Sequence, residues 1–201
     1  WFARMVKHLL APSDYSLINF PIEKWEEISK EISPKKFAVG YVDFEENMSP
    51  LINMGQMLPI FLYRDPRDVL LSMTLYSQGN FNFDLSRIDQ YVQRVMSWKQ
   101  AENNNVHIVR FEDLKFDTKG ELFRIASFLG IEAEMETLEE VAWLYQFKFL
   151  SGGRKPGEES MGSHYRKGNS GDWRSYFSDE QTALVRERYA ESLTAMGYPL
   201  E

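Results

Sequence analysis

Arg64 stands where the apolar run MLPIFLY (57–63) meets the charged knot Asp65-Pro66-Arg67-Asp68, and the apolar pattern then resumes through Ser72. The run has the length and composition of a strand buried on both faces. From Pro66 to about Ser77 the pattern is helical, with Asp65 as N-cap, Pro66 as first helical residue and Asp68 as an acid of the first turn. A helix start leaves backbone N–H groups unsatisfied and carries a partial positive charge. A guanidinium beside it makes a site for phosphate or sulfate. Ser72, two turns into the helix, reaches the same anion if its hydroxyl faces the sheet end. The same residues also read as a capped helix start with local ion pairs, and composition leaves both readings open. Arg67 reads as a surface partner for an acid.

A second basic cluster, Arg166-Lys167-Gly168, lies in RKGNSGDW (166–173). Adjacent arginine and lysine offer two sets of donors to one anion, and glycine lets the backbone approach it closely. The plain alternative is a solvated basic turn. Trp173 reads as a core anchor rather than a ligand stacker. His164, two residues before Arg166, reads as a surface residue. His107, within VHIVRF, has no partner that spacing identifies.

These residues need elements to position them. Trp1, Met5 and Leu9 recur at helical spacing, and the spacing predicts a further helix over Pro21–Ile32. Lys36–Val42, MLPIFLY and VHIVRF (106–111) have strand character. Helices are expected over Leu85–Asn103, Thr118–Leu129 ending at Gly130, Thr137–Phe149, and from a Ser178/Gln181 capping box to about Met196. Residues 151–173 read as a long surface loop, of the kind that is usually functional or disordered. Strands alternating with helices imply an α/β fold with a largely parallel sheet, where ligands bind at the carboxyl ends of the strands. Arg64 and Glu112–Asp113 stand at two such ends.

Bulk composition bounds the partners. The 201 residues are 43% apolar and 14% aromatic, enough for one core, and suit one domain better than two. A net charge of −7 argues against bulk affinity for nucleic acid or an anionic membrane, so an anion must be held by a few focused groups. The sequence has no cysteine, which excludes a disulfide framework and a thiolate metal site and is compatible with a reducing, cytoplasmic setting. No apolar stretch approaches the ~20 residues that span a bilayer. Nothing in the sequence sets the oligomeric state.

Taken together, the motifs resemble the sulfotransferase family that uses 3′-phosphoadenosine 5′-phosphosulfate. The family pattern R-[ND]-P-[KR]-D-V-x-x-S stands as Arg64 to Ser72, [YF]-E-D-L as Phe111 to Leu114, and R-K-G-x-x-G-D-W as Arg166 to Trp173. The resemblance implies a P-loop-NTPase-like three-layer α/β/α fold with a largely parallel central sheet, and one sulfotransferase-like domain over residues 1–201. It implies that Arg64 and Ser72 bind the nucleotide's 3′-phosphate and that Arg166, Lys167 and Gly168 close over it. Phe111 takes a position near the adenosine, Trp1 the position of a ring that stacks on adenine, and Phe147 that of an aromatic near adenine, with core packing as its alternative. The acceptor is a small molecule bearing a hydroxyl or amine, and no metal takes part.

Two departures from the pattern bear on activity. The family's N-terminal strand and phosphosulfate loop belong before Trp1, so the sequence reads as truncated just after that loop and little catalysis is expected of these 201 residues. The family's catalytic histidine falls in FAVGYVDF, where Tyr41 stands. A tyrosine with pKa ~10 is a poor base at neutral pH, and loss of a general base costs about 10²–10⁴ in rate. Asp43, on the same side of the strand as Tyr41, and His164 are substitute candidates, each with a surface role as its alternative. The competing readings are a nucleotide-binding module without chemistry and a phosphoryl transferase, against which the R-K-G motif argues. Phe81 and Phe83 either line an acceptor pocket or anchor their loop.

Overall fold

The computed structural model describes residues 1–11, 16–22, 36–40, 42–101 and 105–201. Along the described chain the order is α1 (Phe2–Leu9), β1 (Ser16–Ile22), β2 (Lys36–Gly40), α2 (Ser49–Asn53), β3 (Ile60–Tyr63), α3 (Pro66–Gln78), α4 (Leu85–Gln100), β4 (His107–Arg110), α5 (Phe111–Phe116), α6 (Thr118–Phe128), α7 (Met135–Leu144), α8 (Phe147–Leu150) and α9 (Asp179–Ala195), with 3-10 turns at Glu46–Met48 and Asp172–Ser175. These elements form two compact units, Trp1–Tyr63 with Ser97–Tyr145, and Arg64–Met96 with Gln146–Glu201.

The first unit holds the strands. Both pairs, β1 with β2 and β3 with β4, are parallel. The β1–β2 register shifts between Ile18 and Pro21, where proline has no N–H to give the ladder. Successive side chains of a strand point to opposite faces, and β3 and β4 divide theirs between two cores. Ile60, Leu62 and Val109 pack with Met5, Leu9, Leu122, Ile125 and Val141 of α1, α6 and α7. Phe61 and Ile108 pack with Met48, Ile52, Trp98 and Ala101, and the Phe61 and Trp98 rings stack at 5.4 Å. Apolar neighbours on both faces explain the unbroken MLPIFLY run and give the helix–sheet–helix layering expected of this α/β fold.

Several boundaries differ from expectation. Pro21 and Ile22 close strand β1 instead of opening a helix, and residues 23–35 lie outside those described. The helix expected over Thr137–Phe149 breaks into α7 and α8 around Tyr145–Gln146. FEDLKF forms the short helix α5, so Phe111 begins a helix instead of ending a strand. His107 has a partner after all: its Nε2 lies 2.9 Å from Glu121 Oε1, and Arg124 holds the other carboxylate oxygen at 2.6 Å.

The second unit carries the long loop. Asp65 caps α3 by accepting from Arg67 N (2.9 Å). The Ser178/Gln181 capping box opens α9 as expected. Phe81 stacks on Phe177 at 5.2 Å and Phe83 meets it edge-on at 5.3 Å, which is the loop-anchoring role of the two offered for them. Residues 151–171 form no helix or strand, yet they are tightly tied. Arg154 donates from Nη1 to the carbonyls of Arg166 (2.7 Å) and Glu158 (3.0 Å), and from Nη2 to Tyr165 O (2.6 Å). One guanidinium thus gathers three backbone carbonyls of a segment that has no helix or strand ladder to satisfy them.

Candidate functional site

The two basic motifs, a hundred residues apart in sequence, meet at the start of α3. Asp68 is buried there, and its carboxylate accepts from Arg64 Nη2 (3.2 Å), Gly171 N (2.7 Å) and Trp173 N (3.1 Å). Arg64 also donates from Nη2 to Asn169 O at 2.5 Å, and its backbone N–H bonds Tyr91 Oη at 2.8 Å. The acid read as a first-turn charge therefore fastens the R-K-G loop to the helix start. Sequence periodicity signals the helix but not this distant partner.

Arg67 is a correction. Read as a surface residue, it is 1% exposed. Its Nε and Nη2 grip the Asp65 carboxylate at 2.9 and 2.8 Å, and Nη2 also reaches Pro199 O at 2.8 Å. Its guanidinium carbon lies 4.0 Å from the Trp173 ring centroid. A planar, weakly hydrated cation tolerates this burial because both its edge and its face are satisfied.

Arg166 and Lys167 come together on Asp172, through Arg166 Nη2 and Lys167 Nζ, each at 2.6 Å. Arg166 Nη1 bonds Glu159 as well. Burial pushes the Asp172 carboxyl up, but the Lys167 and Arg166 donors outweigh it and hold the group below the usual carboxylate range. Burial likewise opposes the charge on Arg166, and Asp172 with Glu159 holds it above its ordinary value. The Asp172 bond raises Lys167. No pairing was expected of Glu159 or of the motif's Asp172, yet together they engage both cations of the R-K-G motif.

Gly168 has φ 68°, and a β-carbon there would lie 2.5–2.7 Å from atoms of the Phe147 ring. Left-handed backbone and close packing both demand glycine. Phe147 thus packs on the loop, with Arg154 5.5 Å from its ring centroid. Ser72 is half-buried on α3. In the first unit, Trp1 and Phe111 meet edge-on at 5.5 Å, and Trp1 Nε1 donates to Tyr145 O at 3.0 Å.

Of the candidate bases, Tyr41 lies outside the described residues and Asp43 is exposed. His164 stacks on Tyr76 of α3 with ring centroids 4.3 Å apart, and its Nε2 lies 2.9 Å from Tyr76 Oη. Among the described residues, no group of three or more His, Cys, Asp or Glu is placed to hold a metal ion.

The site thus joins two basic motifs at one helix start of an α/β fold. The sulfotransferase domain model matches residues 58–197. The chain belongs to the sulfotransferase family, and its activity class is sulfuryl transfer. It is 24% identical over 230 residues to sulfotransferase 6B1 of Homo sapiens, covering 100% of this chain and 75% of that protein. It is 24% identical over 176 residues to the flavonol 4′-sulfotransferase of Flaveria chlorifolia, covering 71% and 54%. In structure it is similar to mouse sulfotransferase SULT7A1 complexed with PAP, with TM-score 0.71, 22% identity, and coverage of 96% and 78%. It is also similar to a retinol dehydratase solved with androsterone and the inactive cofactor PAP, with TM-score 0.61, 22% identity, and coverage of 83% and 56%. These structural likenesses speak to the fold.

Proposed function

We propose that this sulfotransferase takes its sulfuryl group from 3′-phosphoadenosine 5′-phosphosulfate and passes it to a hydroxyl or amine of a small-molecule acceptor. The observation that carries the reading is the joining of the two basic motifs through Asp68 and Arg64 at one helix start. Arg64, Ser72, Arg166, Lys167 and Gly168 are the proposed contacts of the 3′-phosphate. Trp1 and Phe111 are the proposed aromatic surroundings of the adenosine, and Phe147, seated against Gly168, a third. The neighbour solved with PAP supports the donor, and a retinol dehydratase solved with retinol and with androsterone supports a small organic acceptor.

In the proposed reaction the acceptor oxygen or nitrogen attacks sulfur in line. The bond from sulfur to the bridging oxygen of the 5′-phosphate breaks, adenosine 3′,5′-bisphosphate leaves, and the acceptor's proton passes to a base. Tyr41, Asp43 and His164 are the candidates for that base. The protein's own contribution is positioning and charge stabilisation. A module that holds the nucleotide without chemistry rests on Tyr41 alone, and the family match favours transfer. A cytoplasmic setting is part of the proposal, supported by a relative named cytosolic sulfotransferase 17. No described helix is long and apolar enough to cross a membrane.

Calorimetry with adenosine 3′,5′-bisphosphate and with AMP tests the donor assignment. The bisphosphate should bind at least about tenfold tighter, the worth of one charge-assisted contact set; equal affinities overturn the assignment. Turnover of the donor against alcohols, phenols and amines, with Tyr41→His alongside, separates transfer from mere binding.

A further inference from the structure

Asp68, Ser72 and Tyr76 recur every fourth residue of α3 and share one face of the helix. The long loop touches that face at both ends of the series. At Asp68 it is held by the N–H groups of Gly171 and Trp173. At Tyr76 it is held by His164, through ring stacking at 4.3 Å and the 2.9 Å contact between Tyr76 Oη and His164 Nε2. The two attachments are eight residues apart on the helix, about 12 Å along its axis. The seven residue steps from His164 to Gly171 would reach about 23 Å if extended. The segment is therefore slack by about half and arches between its pins, turning at Gly168 (φ 68°). Arg166, Lys167 and Gly168 are the crown of that arch, and Ser72 lies midway between the pins.

We propose that the Tyr76–His164 pair is a positioning device, the second pin that holds the Arg166–Gly168 arch in register with Ser72. The inference rests on the reading that these residues grip the 3′-phosphate, and assigns a role in that grip to two side chains that need not touch it. Without the second pin the arch keeps its ties to Asp68, Arg64, Arg154 and Phe147 but loses its hold on the far end of the α3 face, and its donors reach the phosphate only in a fraction of conformers. The apparent affinity falls by that fraction. Tyr76 is 47% exposed, so its loss removes little core and the variants should fold.

The experiment measures Kd for adenosine 3′,5′-bisphosphate and for AMP with wild type, Tyr76→Ala, Tyr76→Phe, His164→Ala and the double alanine variant. The worth of an aromatic pair converts to a loss of about 3- to 10-fold in bisphosphate affinity for either alanine variant, with AMP nearly unchanged. Tyr76→Phe, which keeps the stack, should retain most of the preference. The double variant should lose no more than either single one, as a shared contact requires. Hydrogen exchange over residues 160–168 in the free protein should rise in both alanine variants. A wild-type protein that fails to prefer the bisphosphate overturns the 3′-phosphate reading. A wild type that prefers it, with alanine variants that keep the preference and the exchange rates, overturns the pin alone.

Discussion

At Gly168 two constraints coincide: a left-handed backbone and the Phe147 ring within reach of any β-carbon. Gly168→Ala must both strain the backbone, at about 1–3 kcal/mol, and push the ring or the loop aside. We expect bisphosphate affinity to fall roughly tenfold or more, measured by calorimetry, and Phe147→Leu to restore part of it by making room. Glu159 invites the opposite outcome. It occupies one arm of Arg166, so Glu159→Gln should tighten bisphosphate binding, by about 2- to 5-fold for a partly exposed charge partner. Unchanged or weaker binding would mean that Arg166 meets its ligand with Glu159 still attached. Arg166, Lys167 and Gly168 were legible because their residue types and spacing are themselves the signal. Glu159 was not, since it is one acid among several in an aperiodic loop and no spacing rule chooses its partner.

Among the elements, α3 integrates the second unit. Its start was legible down to the residue: Asp65 as cap, Pro66 in the first turn, Asp68 as an early acid. What each acid does beyond the helix was not. Asp68 receives three donors while buried. Asp68→Asn keeps one acceptor oxygen and loses the charge, so we expect a loss of about 2–4 kcal/mol in urea denaturation, together with faster exchange at the Gly171 and Trp173 amides. Arg67 was misread because composition cannot show that a guanidinium will find an indole face and a remote carbonyl. The order within residues 151–171 escaped for a similar reason: Arg154 is satisfied by backbone carbonyls, which every sequence supplies.

For the molecule as a whole, the layered α/β fold was readable from apolar runs and helical periods, while pH behaviour depends on contacts that only the structure reveals. Burial, reinforced by a bond to Asp89, pushes the Tyr189 hydroxyl up to about 12. A group whose value is raised on folding contributes stability that is fully present below its unfolded value, ~10, and is lost as pH rises through about 12. Wild type should therefore lose stability across that window in alkaline denaturation, and Tyr189→Phe should lose less. On the acid side, Asp172 and Glu121 are each pushed up by burial but held below the usual range by their basic partners. Their contribution is present above that range and disappears as pH falls through the lowered values, so acid unfolding should begin below about pH 4. Trp173 adds an optical consequence. Its indole is 1% exposed, with the guanidinium carbons of Arg67 and Arg174 4.0 and 4.5 Å from its ring centroid. Fluorescence from that ring reports on the loop anchored beside it: blue-shifted while Asp68 holds the loop, red-shifted once water enters. With five tryptophans in the sequence, the difference spectrum against Trp173→Phe isolates its signal, giving a label-free optical readout of loop opening.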